Sequence, residues 1–254
     1  MSEQKRIRIL LSMDKWTPVS RDVFEEVLPY LDSTLSQVLF LMLYDRIWHN
    51  RRGFVCASVQ DMAKWTGADW RTVNKAIDEL AAKDFVDCMS PGRAKSRSEK
   101  PWWQVPATDF DMKTEGPWTA VPRFLIYDYP RSYRNSLLVP LLLWHQDFSG
   151  GKNYCWPGAR RLAEYTGWSK RKVLHALHIM GHETTWKRLG LDLPRPLDIT
   201  YNADRTRRRF RVRAVSYEPK QGNQWPRMSL TEEFATRFRT SRWHKKKQLQ
   251  IEED

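Results

Sequence analysis

Two nineteen-residue stretches, a hundred positions apart, carry one pattern. Met62 to Leu80 reads MAKWTGADWRTVNKAIDEL and Leu162 to Met180 reads LAEYTGWSKRKVLHALHIM. Aligned without a gap they share six residues: Ala63/Ala163, Thr66/Thr166, Gly67/Gly167, Arg71/Arg171, Val73/Val173 and Ala76/Ala176. Met62/Leu162, Trp65/Tyr165, Ile77/Leu177 and Leu80/Met180 exchange one apolar side chain for another. Upstream, Trp16-Thr17-Pro18-Val19 resembles Trp118-Thr119-Ala120-Val121 at an offset of 102. Between these blocks each half has an apolar helix candidate, then a turn, then a cysteine, Cys56 or Cys155. Two units of this length are domains rather than turns of a solenoid, so the chain reads as a tandem duplication.

Each unit has the grammar of a helix-turn-helix. In the first, Leu35 to Trp48 is an apolar helix, and Ser58 can cap a second helix reaching about Trp65. Thr66-Gly67 breaks it, because glycine reaches the left-handed conformation a tight turn needs. Asp69 then suits the N-cap of a third helix. Val73, Ile77 and Leu80 fall at i, i+4 and i+7 and form its buried stripe. Trp70, Arg71, Asn74, Lys75 and Asp78 are left facing outward. In the second unit Ser169 caps, Val173, Leu177 and Met180 point inward, and Lys170, Arg171, Leu174, His175 and His178 point outward, with Lys172 completing a basic first turn. A shared inner stripe with unlike outer faces is what two modules reading different surfaces would show.

A hairpin wing is expected after each third helix. Asp84 to Met89 and Trp102 to Val105 are strand candidates around a polar turn carrying Arg93, Lys95, Arg97 and Lys100. In the second unit Leu197 to Tyr201 precedes a turn at Asn202 to Arg205, and Thr206 to Val215 returns with strict alternation. Arg207, Arg209, Arg211 and Arg213 take one face; Phe210, Val212 and Ala214 take the other. Four guanidiniums on one strand face are costly to bury, so that face meets water or phosphate.

Here the chain resembles the winged helix-turn-helix modules of plasmid and phage replication initiators, and is similar to many bacterial transcription regulators. The resemblance rests on an apolar helix followed by Leu162, Ala163, Thr166, Gly167, Ser169, Arg171 and Val173, and covers roughly residues 16 to 105 and 118 to 215. The first unit departs at Asp69, where the family commonly has Ser, and Pro140 interrupts the second unit's first helix. The resemblance implies a tandem module that binds double-stranded DNA, with third helices in successive major grooves, wings on flanking phosphates and origin repeats as a target.

Charge agrees with a polyanionic partner. Residues 1–111 hold 16 basic and 16 acidic side chains, whereas residues 112–254 hold 27 and 14, so the net charge of +13 belongs to the second half. With 41% hydrophobic and 29% charged residues the chain suits a soluble folded protein. Its longest apolar runs, Val38 to Tyr44 and Leu137 to Trp144, are too short for a membrane span, and the N-terminus has no apolar stretch fit for a signal peptide. Three cysteines, Cys56, Cys88 and Cys155, suggest a reducing cytoplasmic setting, nucleoid- or plasmid-associated, with buried thiols.

Sharper chemistry fails on inspection. His182-Glu183-Thr184-Thr185 starts like a zinc-protease motif, but Trp186 stands where the second histidine is needed. His175, His178 and His182 suit a metal poorly because Gly181 interrupts their helix. Gly150-Gly151-Lys152 lacks the remainder of a phosphate loop. The expectation is therefore a binding protein and not an enzyme, with no cofactor and no metal. Ser229 can cap a C-terminal helix through Leu230, Phe234 and Phe238, ending in a basic tail.

The full expectation is an α+β, mainly α chain: winged helix domain 1 over 1–111, winged helix domain 2 over 112–222, and a basic C-terminal helix or tail over 223–254. Its role would be replication initiation or regulation for a plasmid- or phage-type element, with double-stranded DNA, a homodimer mate or replication machinery as partners and no membrane. Transcriptional repression is the nearest alternative. A non-catalytic subunit of a larger nucleoprotein complex, contacting RNA or protein, is the alternative from another class.

Overall fold

The computed structural model describes residues 16–20, 22–50, 52–89, 100–105, 118–123, 125–127, 154–189, 194–201, 203, 208–213, 215–218 and 227–230. Over these the chain is α+β, mainly helical, with small antiparallel sheets. No helix among the described residues is long and apolar enough to cross a membrane.

The contacts divide the chain into two units, and not at residue 111. The first comprises residues 1–142 and 159–173, the second residues 143–158 and 174–254. The α-helical pairs around Gly67 and Gly167 both begin in the first unit. The expected boundary at 111 is crossed because Trp118–Pro122 pairs with Trp16–Ser20, and because Gln37 and Thr34 bond to Thr166, Trp168 and Lys172.

In the first unit, β1 (Trp16–Ser20) pairs antiparallel with β5 (Trp118–Pro122). These are the two upstream copies of the repeat. After β1 come a wide helical turn, Val23–Val27, and a tight one, Leu28–Tyr30. Helix α1 (Thr34–Asn50) is apolar on nearly every side, and every residue from Leu35 to Asp45 is buried. A helix hydrophobic all round belongs in a core. Strand β2 (Val55–Cys56), helix α2 (Val59–Thr66) and helix α3 (Trp70–Ala82) follow, then β3 (Asp87–Met89) and β4 (Trp102–Gln104). The three short strands form one sheet in the order β2-β4-β3. On α3, Val73, Ala76, Ile77 and Leu80 are buried as the periodicity required. Each such large aliphatic side chain contributes about 1.5–3 kcal/mol when fully buried.

One buried polar cluster ties these pieces together. Asp45, in the middle of α1, has no exposed side-chain surface. It accepts from Arg123 through Nε (2.9 Å to Oδ1) and Nη2 (2.8 Å to Oδ2), and also from the Thr17 and Tyr127 hydroxyls. The His49 ring lies 3.1 Å away. Burial alone would raise the Asp45 pKa, but His49 and Arg123 outweigh it and hold the carboxylate well below its ordinary range. Strand β1, helix α1 and residues 123–127 thus meet on one charge.

The first unit also contains α4 (Ala159–Thr166) and the start of α5 (Lys170–Gly181). The second unit holds the rest of α5, a short helix α6 (Glu183–Arg188), and a hairpin of β6 (Leu197–Tyr201) with β7 (Arg208–Val212). Cys155 bridges to Phe210 with reciprocal backbone bonds of 2.9 and 2.8 Å. The order Cys155-β7-β6 therefore repeats β2-β4-β3. A further hairpin joins β8 (Val215–Glu218) to β9 (Arg227–Leu230).

That hairpin corrects two expectations. The strand expected over Thr206 to Val215 is closed at Arg213, whose N–H donates to Pro196 O at 3.0 Å, before β8 starts separately. Ser229 does not cap a helix: it lies in β9 opposite Ser216, because β8 offers its backbone an extended partner. The rest of the expected C-terminal helix, and Pro140, lie outside the described residues. Of the thiols, only Cys155 is buried; Cys56 and Cys88 are exposed on their short strands.

Candidate nucleic-acid interface

The two helix-turn-helix turns are built alike, atom for atom. Thr66 Oγ1 donates to Met62 O at 2.9 Å and accepts from Ala68 N at 3.3 Å; Thr166 Oγ1 donates to Leu162 O at 2.7 Å and accepts from Trp168 N at 3.2 Å. Gly67 and Gly167 follow at φ of +63° and +65°, a region that L side chains enter only at a cost. The third helices are then capped by Asp69, which accepts from Arg71 N at 2.9 Å, and by Ser169, which accepts from Lys172 N at 3.2 Å. Ser58 caps α2 through a full capping box with Asp61.

On α3 the outward face is as expected. Trp70 is 51% exposed, Arg71 and Lys75 are exposed, and Asn74 is half-buried. The Arg71 guanidinium sits 5.3 Å above the Trp70 ring, which holds an aromatic face and a cation side by side at the helix start. Asp78, about two turns further on, is exposed as well and offsets part of that charge.

On α5, Lys170, Arg171, Leu174, His175 and His178 are exposed. The His178 ring packs 4.3 Å from that of His182. Among the described residues no group of three or more His, Cys, Asp or Glu side chains is placed to hold a metal.

Lys172 is turned inward. Its Nζ donates to Thr34 Oγ1 at 2.8 Å and lies 4.2 Å over the Trp168 ring, and burial lowers its pKa. Trp168, just before α5, is itself buried, with its indole N–H donating to Gln37 Oε1 at 3.1 Å. Both side chains hold α5 to the start of α1 instead of facing solvent.

The expected wings are only partly described. Arg93, Lys95 and Arg97 lie outside the described residues, as do Arg205 and Arg207. Lys100 pairs with Asp61 at 2.9 Å, and the two bonds from Ser58 together with Lys100 bring the Asp61 carboxyl down to about 2. On β7, Phe210 and Val212 are buried and Arg211 is exposed, so the alternation holds there. Arg209 is half-buried, its guanidinium 4.8 Å over the Tyr154 ring. Arg213 lies 3.7 Å from Asp198. Of the expected cations that the structure describes, Arg71, Lys75, Lys170, Arg171 and Arg211 are exposed, as is Lys100 beside Asp61.

Sequence reasoning missed the Asp45–Arg123 pair and the Gln37 amide, which donates to Leu28 O at 2.6 Å and Thr166 O at 2.9 Å. The signal for each was a polar residue inside a continuous apolar helix, which needs buried partners. Comparison with protein-family models and with curated proteins gives no match.

Proposed function

We propose that the chain is a double-stranded DNA-binding protein of the tandem winged helix-turn-helix kind, acting in replication initiation or regulation of a plasmid- or phage-type element. The observation that carries this reading is the pair of matching turns, each presenting an exposed arginine, Arg71 or Arg171, in the first turn of its third helix. A guanidinium there suits bidentate contact with a guanine edge, while wing cations suit phosphates. The sheet order shared by the two wings supports the winged form of the motif. In this reading the protein binds and positions DNA rather than transforming it.

The test is fluorescence anisotropy with labelled duplex DNA and a matched RNA over a salt series. With about six phosphates neutralised, log K should fall against log salt with a slope of roughly −5. Preference for the RNA, or a slope shallower than about −2, would reject DNA as the partner.

A further inference from the structure

We propose that the outer face of the second unit's sheet binds single-stranded DNA, stacking unpaired bases on Trp156 and Tyr154 beside Arg209 and Arg211. The choice of DNA over RNA rests on the DNA-binding reading above; the stacking does not.

Alternation builds the face. Cys155 is buried and exchanges both backbone bonds with Phe210, which is buried as well. In extended chain the residues on either side point to the opposite face. Tyr154 and Trp156 therefore lie away from the buried side of the sheet, as Arg209 and Arg211 do on β7. Across the ladder, Thr200 of β6 stands opposite Arg209 and Asp198 stands opposite Arg211. All these residues belong to the second unit.

The groups on this face suit a flat, anionic ligand. Trp156 is 46% exposed, although tryptophan is mostly buried in folded proteins. Its ring centroid is 5.8 Å from that of Tyr154 with the planes tilted by 43°, so neither ring covers the other's face. The Arg209 guanidinium, 4.8 Å over the Tyr154 ring, sets a planar cation beside them. Arg211 is exposed. Asp198, the acid on these strands, is bonded by Arg195 at 2.8 Å and approached by Arg213 at 3.7 Å. The charge left over is positive.

Cations alone suffice for the phosphates of a duplex, whose base planes are covered by one another. Aromatic and guanidinium planes match the face of a base that has left the stack. The sheet of the first unit is the contrast. Its exposed row is Cys56, Trp102 and Met89, but Phe54 lies flat against Trp102 at 4.7 Å and 8°, and β2, β3 and β4 carry no lysine or arginine. That row has neither an open pair of rings nor a cation for phosphate.

The experiment separates base from backbone. Fluorescence anisotropy of the full chain is measured on a short labelled thymidine strand, the same strand made abasic throughout, the matching uridine ribonucleotide and a duplex. The wild type should bind the thymidine strand at least about fivefold more tightly than the abasic one, the least that one stacked base contributes. Trp156→Ala should remove most of that preference and Trp156→Phe should keep it, with duplex affinity unchanged in both. Arg209→Lys, which keeps the charge and gives up the plane, should weaken the thymidine complex more than the abasic one. Trp102→Ala should leave the preference intact. Equal binding of thymidine and abasic strands by the wild type would overturn the site, as would a Trp156→Ala loss as large on the abasic strand or the duplex as on thymidine. Tighter binding of the uridine strand would overturn DNA as the occupant. If the duplex is not bound while the thymidine preference stands, the duplex reading falls and the stacking face survives. Circular dichroism checks folding, and should Trp156→Ala not fold, Arg209→Lys decides.

Discussion

Gly167 is where the packing of the turn after α4 against Leu28–Tyr30 can be tested most directly. Its φ of +65° already disfavours any side chain, and a Cβ there would overlap the Pro29 carbonyl oxygen and lie 3.0 Å from the carbonyl carbon. Two controls separate these effects. Gly53 has φ +74° with nothing within 4 Å of an added Cβ, and Gly158 has the same open space without a left-handed φ. A left-handed L-residue costs about 1–2 kcal/mol, partly offset by the smaller entropy of the unfolded chain. Gly53→Ala should therefore lose about 1 kcal/mol and Gly158→Ala close to nothing. Gly167→Ala carries the same backbone cost plus overlap with main chain, which cannot rotate away as a side-chain tip can. Leu28–Tyr30 must then shift from α4, and overpacking of this kind adds about 1–3 kcal/mol. Disturbing the Gln37 bonds to Leu28 O and Thr166 O adds to it. The expected total is about 2–4 kcal/mol. Urea unfolding followed by tryptophan fluorescence and circular dichroism would measure it. If Gly167→Ala is no worse than Gly53→Ala, the Pro29 contact is not part of the folded state and the packing of this turn on Leu28–Tyr30 is refuted.

Asp45→Asn should cost about 3–5 kcal/mol, since it leaves the buried Arg123 guanidinium without its carboxylate. Because the folded pKa of Asp45 is depressed, its contribution is fully present above the unfolded value of about 3.9 and is lost as pH falls toward the folded one. Acid titration of unfolding should show a weaker pH dependence in the variant below about pH 4, and equal slopes would refute the assignment. Lys172→Met should lower stability by roughly 1 kcal/mol through loss of the Thr34 bond while leaving the salt slope of DNA binding unchanged. A slope flattened by about one would instead place Lys172 on phosphate. With a thiol reagent, Cys56 and Cys88 should react quickly and Cys155 only on unfolding, read as two fast equivalents and one slow.

The helix caps and glycine turns were legible because their signals are local. Ser58, Asp69 and Ser169 cap where they stand, Gly67 and Gly167 turn where they stand, and one period places Val73, Ile77 and Leu80 inside. What the sequence hid was partnership at long range. The repeated Trp-Thr-x-Val block is visible as a repeat, but nothing in it says that one copy will pair with the other. Lys172 is another case. Its neighbours Lys170 and Arg171 do face solvent, and only Thr34 and Trp168, distant in sequence or set by the fold, draw it inward. The β8–β9 hairpin was missed because four-residue strands carry too little alternation to outweigh a plausible helix cap at Ser229.

The same distinction changes how the charge asymmetry bears on binding. Counted by halves, all excess positive charge falls after residue 111, which suggests that the second half supplies most of the affinity. Yet α4 and the first turn of α5 share a unit with α1 to α3, so Lys170 and Arg171 are held by the framework that holds Arg71. The second half's wing arginines are partly engaged within the protein, Arg209 over Tyr154 and Arg213 near Asp198. The net charge is thus an upper bound on what a polyanion could meet, and the difference between the halves should be smaller than the tally implies. Arg171→Ala and Arg71→Ala, measured on one selected duplex at one salt concentration, give that difference. If DNA is the partner, each should cost about 1–3 kcal/mol and relax specificity at the base pair it reads. Arg171→Ala should be the costlier of the two, because Asp78 offsets charge on the α3 face. A larger loss for Arg71→Ala would mean that base reading by α3 outweighs the charge of the second half.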